Sequence, residues 1–183
     1  MKKVLEYCVN LWYSIFRAED NKGVISMDKP NITNVAVFFL NVVDRDAGST
    51  ITPLKLQKIL YYSQGYYLAM NDKELFKEEF QAWAHGPANP KIYDSYKKYG
   101  CNAIDKPALK DVPNFGTNIQ EFLYDIWNTF GIYDGKYLEE LTHQEEPWIN
   151  ARKGYKPGEI CNNIITKESM KKFFKEKLNE SNS

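Results

Sequence analysis

The side chains best suited to chemistry in this chain are its two histidines, each inside a dense motif: His85 in AWAHGP and His143 in LTHQEEPW. A metal site needs a third and a fourth ligand at a spacing that a fold can close. Cys101, Glu145 and Glu146 are ligand types, but they do not fall at metal-ligand spacing from either histidine. The expectation is two structural or interface histidines, each bonding backbone at a bend, with no metal and no cofactor. Lys55 and Lys58 are a second candidate. They lie one helical turn apart, beside Gln57 and Gln64, and basic-plus-amide spacing is what a DNA-reading helix uses. The simpler expectation is a solvated face opposite Leu56, Ile59 and Leu60. Glu139, Glu140, Glu145 and Glu146 form an acidic cluster, expected to be a solvated helix face that can attract a basic partner.

Signatures of covalent or cofactor chemistry are absent. His143-x-Glu145 matches the HxE half of a zinc-deaminase signature, but its PCxxC half is missing. Cys101 and His143 can be drawn as a thiol–imidazole pair, yet no nucleophile signature surrounds either residue. There is no GxGxxG, no phosphate loop and no GxSxG.

The elements that must position these residues follow from composition and periodicity. At 183 residues and 43% hydrophobic, the chain suits one domain with a real core. Lys plus Arg and Asp plus Glu both count 24, so the net charge is zero and generic nucleic-acid binding loses its simplest driver. Cys8, Cys101 and Cys161 are odd in number and show no paired spacing, which argues against a disulfide framework. No signal h-region is evident, and no run reaches the ~18 apolar residues of a spanning helix. These features read as a soluble cytoplasmic protein with no membrane partner.

Residues 1–26 read as an N-terminal helical extension, with Val4, Tyr7, Cys8, Leu11, Ile15 and Phe16 at helical spacing over 3–18. A buried helix follows Asn31 or Thr33 as cap. Thr52-Pro53 and Asn89-Pro90 are two cap-plus-proline helix starts. Gly65 inside the first of these helices, about 1 kcal/mol worse than Ala, implies close approach of another helix. Residues 80–88 read as extended and bent around Gly86-Pro87. Further helices are expected over 118–130, near 136–143, from Pro147, and after Thr166. Residues 179–183 read as a disordered tail. The fold class is mainly α: a compact single-domain helical bundle with a short β element near residues 79–84. Leu56, Ile59, Leu60, Phe122, Ile126 and Phe173 are the expected core. Trp83, His85, Gly86 and Pro87 are expected to form a bend, and Thr142, His143, Pro147 and Trp148 a helix-end turn, both packed on the Tyr61–Tyr62 helix.

Three motifs in order, TPLKLQKILYYSQGYYLA, FQAWAHGPANPKIYDSYKKYG and LTHQEEPW, resemble the Panacea antitoxin domain, the SocA-like family that includes phage-associated proteins. The resemblance spans roughly residues 32–178, inside a domain read as 27–178. It implies a mainly helical fold and a non-enzymatic antitoxin that binds a cognate toxin encoded nearby. One branch of the family delivers its toxin to a protease, so a cellular protease is a second implied partner. Ala84 stands where a Lys or other polar residue is common, and Ala88-Asn89 replaces an apolar pair. Residues 1–30 lie outside the match.

The expected partner-binding or motif residues are Tyr61, Tyr62, Tyr66, Trp83, His85, Gly86, Pro87, Tyr96, His143, Pro147 and Trp148. Among these, Tyr62, Tyr66 and Tyr96 are expected to be exposed aromatic anchors. The rival readings are a phage- or prophage-associated DNA-binding regulator, seeded by Lys55–Gln57–Lys58, and an enzyme using His85 or His143.

Overall fold

Asn31 opens the first helix of the described residues, α1 (Ile32–Val42), by accepting the Asn34 N–H on its side chain. The computed structural model describes residues 28–181; the expected 1–26 extension and the last two residues lie outside them. The central helix is α2 (Pro53–Asn71). Thr52 caps it at 3.3 Å from the Lys55 N–H, Pro53 takes the first turn, and Asp72 ends it in the left-handed region at φ 54°. The second cap-plus-proline start holds as well: Asn89 caps α3 (Pro90–Tyr96) by accepting from Ile92 N.

Between them runs a hairpin of β1 (Phe80–Trp83) and β2 (Gly86–Ala88), in the register Gln81↔Ala88 and Trp83↔Gly86. Four helices and one strand follow: α4 (Thr117–Phe130), α5 (Gly135–Thr142), α6 (Glu146–Ala151), β3 (Ile164–Ile165) and α7 (Lys167–Ser181). β3 pairs antiparallel with β1, giving the sheet order β2-β1-β3. The expected β element is therefore present, as the middle strand of a small sheet. Its two partners, each two or three residues long, give no periodicity to read. α7 includes Asn179 and Glu180, which the sequence reading assigns to the tail.

α2 is covered on every side, by α1, α3, α4, α5, α7 and β2. Leu56, Ile59, Leu60, Tyr61, Tyr62 and Leu68 are all buried. A helix covered around its whole circumference belongs inside a core, and its polar side chains must find partners there. Gly65 is the contact point with α7, since a Cβ there would run into the Phe174 ring. That ring lies 4.8 Å from Tyr66, 5.6 Å from Tyr61 and 6.1 Å from Tyr62 between centroids, within the range where aromatic pairs attract. The core residue on α7 is thus Phe174. Phe173, expected in the core, is only half-buried.

Polar side chains of α2 fix the loops around it. Gln64 accepts from Leu75 N and Phe76 N and donates to Phe76 O. Gln57 accepts from Asn89 N at 2.8 Å and donates to Asn89 O at 3.0 Å, as a neighbouring strand would. Arginine has a similar use. The chain holds three arginines among 24 basic residues. Arg45 donates to the carbonyls of Leu40 and Ile104, and Arg152 to those of Ala82, Lys156 and Glu159. A planar fork of donors can hold several carbonyls at once, which an ammonium does less well.

Candidate functional site

The three motifs meet where the hairpin lies over α2 and against α5 and α6. Gly86 is at φ 88°, and a Cβ there would sit 2.6 Å from Thr142 Oγ1 and 2.8 Å from Lys58 Nζ. Only glycine permits both that backbone and that approach. Lys58 Nζ donates to Pro87 O at 3.0 Å. The Trp148 indole donates to Trp83 O at 3.0 Å. His143 stacks on Trp148 at 4.1 Å and 17°, and the Arg152 guanidinium covers Trp148 at 5.4 Å. The hairpin bend and the helix-end turn therefore join as expected. They do so largely through backbone carbonyls, while the half-buried Trp83 ring faces outward against Tyr93 at 5.0 Å.

His85 is not held by backbone. Its Nδ1 lies 3.0 Å from Glu139 Oε1, and its side chain is 80% exposed over a buried carboxylate. Lys136 Nζ reaches the same oxygen at 3.2 Å. Burial pushes Glu139 up, but the His85 and Lys136 bonds outweigh it and hold the carboxyl below its ordinary value. The His143 pKa is lowered, mainly by burial and further by Lys58 and Lys136, against the pull of Glu139. Among the described residues, no three of His, Cys, Asp and Glu are grouped to hold a metal ion.

Two buried ionisable groups form the centre. Lys58 is 1% exposed, and burial lowers its pKa to about 7 against the attraction of Glu139 and Glu145. Burial raises Glu145 to about 7, against the Tyr62 hydroxyl, which donates to its Oε1 at 3.0 Å, and the charges of Lys177 and Lys58. Tyr61 Oη and Glu145 Oε2 are buried and make no hydrogen bond of good geometry, yet the Tyr61 hydroxyl lies close enough to the carboxylate to act with Tyr62 in opposing the rise of the Glu145 pKa. Burial first, and Glu145 second, push the Tyr61 phenol up.

Several expectations are corrected here. Lys55, Gln57 and Lys58 are buried, so they are no solvated face and no DNA-reading patch. Lys55 Nζ is spent on the carbonyls of Thr50 and Gly131. Tyr61, Tyr62 and Tyr66 are in the core, where Tyr62 stacks on Phe130 at 4.1 Å and 2°. Tyr62 and Tyr66 therefore cannot be exposed anchors, because α7 and α4 cover α2 on that side. Tyr96 is half-buried. The acidic cluster splits, with Glu140 and Glu146 exposed and Glu139 and Glu145 buried. Arg152 was missed altogether; the scarcity of arginine was the available signal.

The Glu145 titration makes a pH prediction. In the unfolded chain its proton leaves near the ordinary 4.5; in the fold it is held to about 7. Between those values the unfolded state binds fewer protons, so stability falls as pH rises through that window. Glu145→Gln keeps an acceptor for Tyr62 and removes the titration. Its melting temperature relative to wild type is expected to climb between about pH 5 and about pH 8. A difference that stays flat across that range refutes the assignment.

The same residues carry the similarity to known proteins. The family model described as "Antitoxin SocA-like, Panacea domain" matches residues 56–149, from the second turn of α2 to the middle of α6. Antitoxin SocA of Caulobacter vibrioides (strain NA1000 / CB15N) is 28% identical over 133 residues, covering 63% of this chain and 70% of that protein. No solved structure matches the chain. With Gln57, Lys58, Gly86, Glu139 and Trp148 all inside the matched span and all engaged where the hairpin meets α2, α5 and α6, the chain belongs to the SocA-like antitoxin family that carries the Panacea domain.

Proposed function

We propose that this protein is an antitoxin that neutralises a toxin encoded beside it by binding that toxin directly. The observation that carries the reading is the match of residues 56–149 to the SocA-like antitoxin family. The geometry supports it. The motif residues are spent on holding the hairpin, α2, α5 and α6 together, which makes a rigid platform. Outside that junction, large apolar side chains stand in solvent, among them Tyr93 at 46%, Ile132 at 72% and Ile160 at 85% exposure. A preorganised surface with a few apolar anchors is what tight protein recognition uses. The DNA-binding alternative loses its support, because its basic seed is internal.

Growth and binding assays test this. Co-expression of the chain with the neighbouring gene is expected to restore growth that the neighbour alone arrests, and the two products are expected to co-purify. If the chain neither restores growth nor forms a complex, the reading is overturned. Two modes are then separable by following the toxin after synthesis is stopped. Occlusion leaves its half-life unchanged, whereas delivery to a cellular protease shortens it only when this chain is present.

A further inference from the structure

The neutral total charge conceals a segregated one. From residue 117 to residue 151 the chain carries seven Asp and Glu and one basic residue, Lys136, which is already paired with Glu139. The outward stripe of α4 runs through Glu121, Tyr124 and Asp125 at helical spacing. Past its end, Ile132 stands in the α4–α5 turn, and Tyr137 and Glu140 lie three residues apart on the exposed side of α5. Ile132 is 72% exposed, Tyr124 45% and Tyr137 39%. Tyr137 is stacked on Tyr133 at 4.5 Å, so its ring is held in place before anything binds.

Glu121, Asp125 and Glu140 take part in no ion pair among the described residues. Like charges four residues apart on a helix repel each other. Asp125 shows this: burial, and then the charge of Glu121, push its carboxyl up. The opposite treatment is visible on α7, where Asp72 holds both Lys171 and Lys175 at 2.6 Å.

We propose that this face, the outer stripe of α4 with the α4–α5 turn, is where the protein holds its toxin, and that the toxin meets it with a lysine- and arginine-bearing surface around an apolar contact. The inference rests on the antitoxin reading and deepens it. Ile132, Tyr124 and Tyr137 are the anchors that gain from desolvation. Glu121, Asp125 and Glu140 supply the rim that steers a cationic partner and disfavours an anionic one. Nucleic acid is excluded as the occupant by the same sign of charge.

The test uses the full chain and the purified product of the neighbouring gene, with binding followed at low and at high salt. Each variant is first shown to keep the wild-type melting temperature. Wild-type affinity is expected to fall as salt rises. Glu121→Lys combined with Asp125→Lys is expected to slow association about tenfold at low salt, with the difference shrinking at high salt. Ile132→Ala is expected to weaken binding about tenfold through faster dissociation at either salt. Tyr93→Ala, on α3 beside Trp83, is expected to change little. If wild type binds but the α4 and Ile132 variants bind equally well, or if only Tyr93→Ala loses binding, the toxin sits elsewhere and the proposal falls while the antitoxin reading stands. If wild type does not bind at all, the antitoxin reading fails and this inference falls with it.

Discussion

Lys58→Ala is expected to lower the free energy of unfolding by about 2–5 kcal/mol, as truncation of a fully buried, hydrogen-bonded side chain does. The alanine leaves a cavity along the lysine stem. It strips Pro87 O of its donor and takes away the positive charge that offsets Glu139 and Glu145. Lys58→Met fills the stem but restores neither the donor nor the charge, so it is expected to remain about 1–3 kcal/mol below wild type. Urea denaturation of the three proteins measures both. A Lys58→Ala protein within about 1 kcal/mol of wild type means that the hairpin is held by something else.

The lysine also leaves a pH signature. In the unfolded chain it gains its proton near 10.5, whereas the folded state delays this to about 7. As pH drops through that window the unfolded state binds more protons and stability falls. Below about 7 both states are protonated and this slope ends. Lys58→Met should lose the alkaline rise in stability that wild type shows.

Phe174→Ala is the second large effect, expected at about 3–5 kcal/mol, because a buried ring touching Tyr61, Tyr62 and Tyr66 leaves a cavity between two helices. Gly65→Ala places a methyl group against that same ring and is expected to cost about 1–3 kcal/mol by overpacking. The two changes fill and empty one space. The double variant should therefore be more stable than the sum of the single losses implies, by about 1 kcal/mol or more. Strict additivity in thermal or urea unfolding shows that the ring and the glycine are not in contact.

Local chemistry was legible in the sequence wherever it fixed local geometry. Thr52-Pro53 and Asn89-Pro90 are caps because a side-chain oxygen and a missing N–H are what a helix start requires, whatever surrounds it. Gly65 pointed to a close helix because its cost inside a helix needs an offset. The misreadings share one cause. A solvated Lys55 and Lys58 and an exposed Tyr62 and Tyr66 both require α2 to have an outside, which it lacks. Its polar residues, Lys55, Gln57, Lys58, Ser63 and Gln64, do not fall on one face, and that scatter was the sign of a helix covered all round. The pairing of Glu139 with His85 and of Glu145 with Tyr62 spans 54 and 83 residues. No spacing rule reaches that far without a fold to close it.

The covering of α2 by α7 has a consequence in time. α2 ends at Asn71 and α7 begins at Lys167. A ribosome adding ~5–20 residues per second takes roughly 5–20 s to travel between them. For that interval the groove at Gly65, walled by Tyr61, Tyr62 and Tyr66, has no partner helix to fill it. Isolated helices form in about a microsecond, so the nascent chain's most aromatic groove stays open for as long as translation takes. Slow codons between α2 and α7 should therefore lengthen the protein's exposure to aggregation more than any change in how fast its helices form.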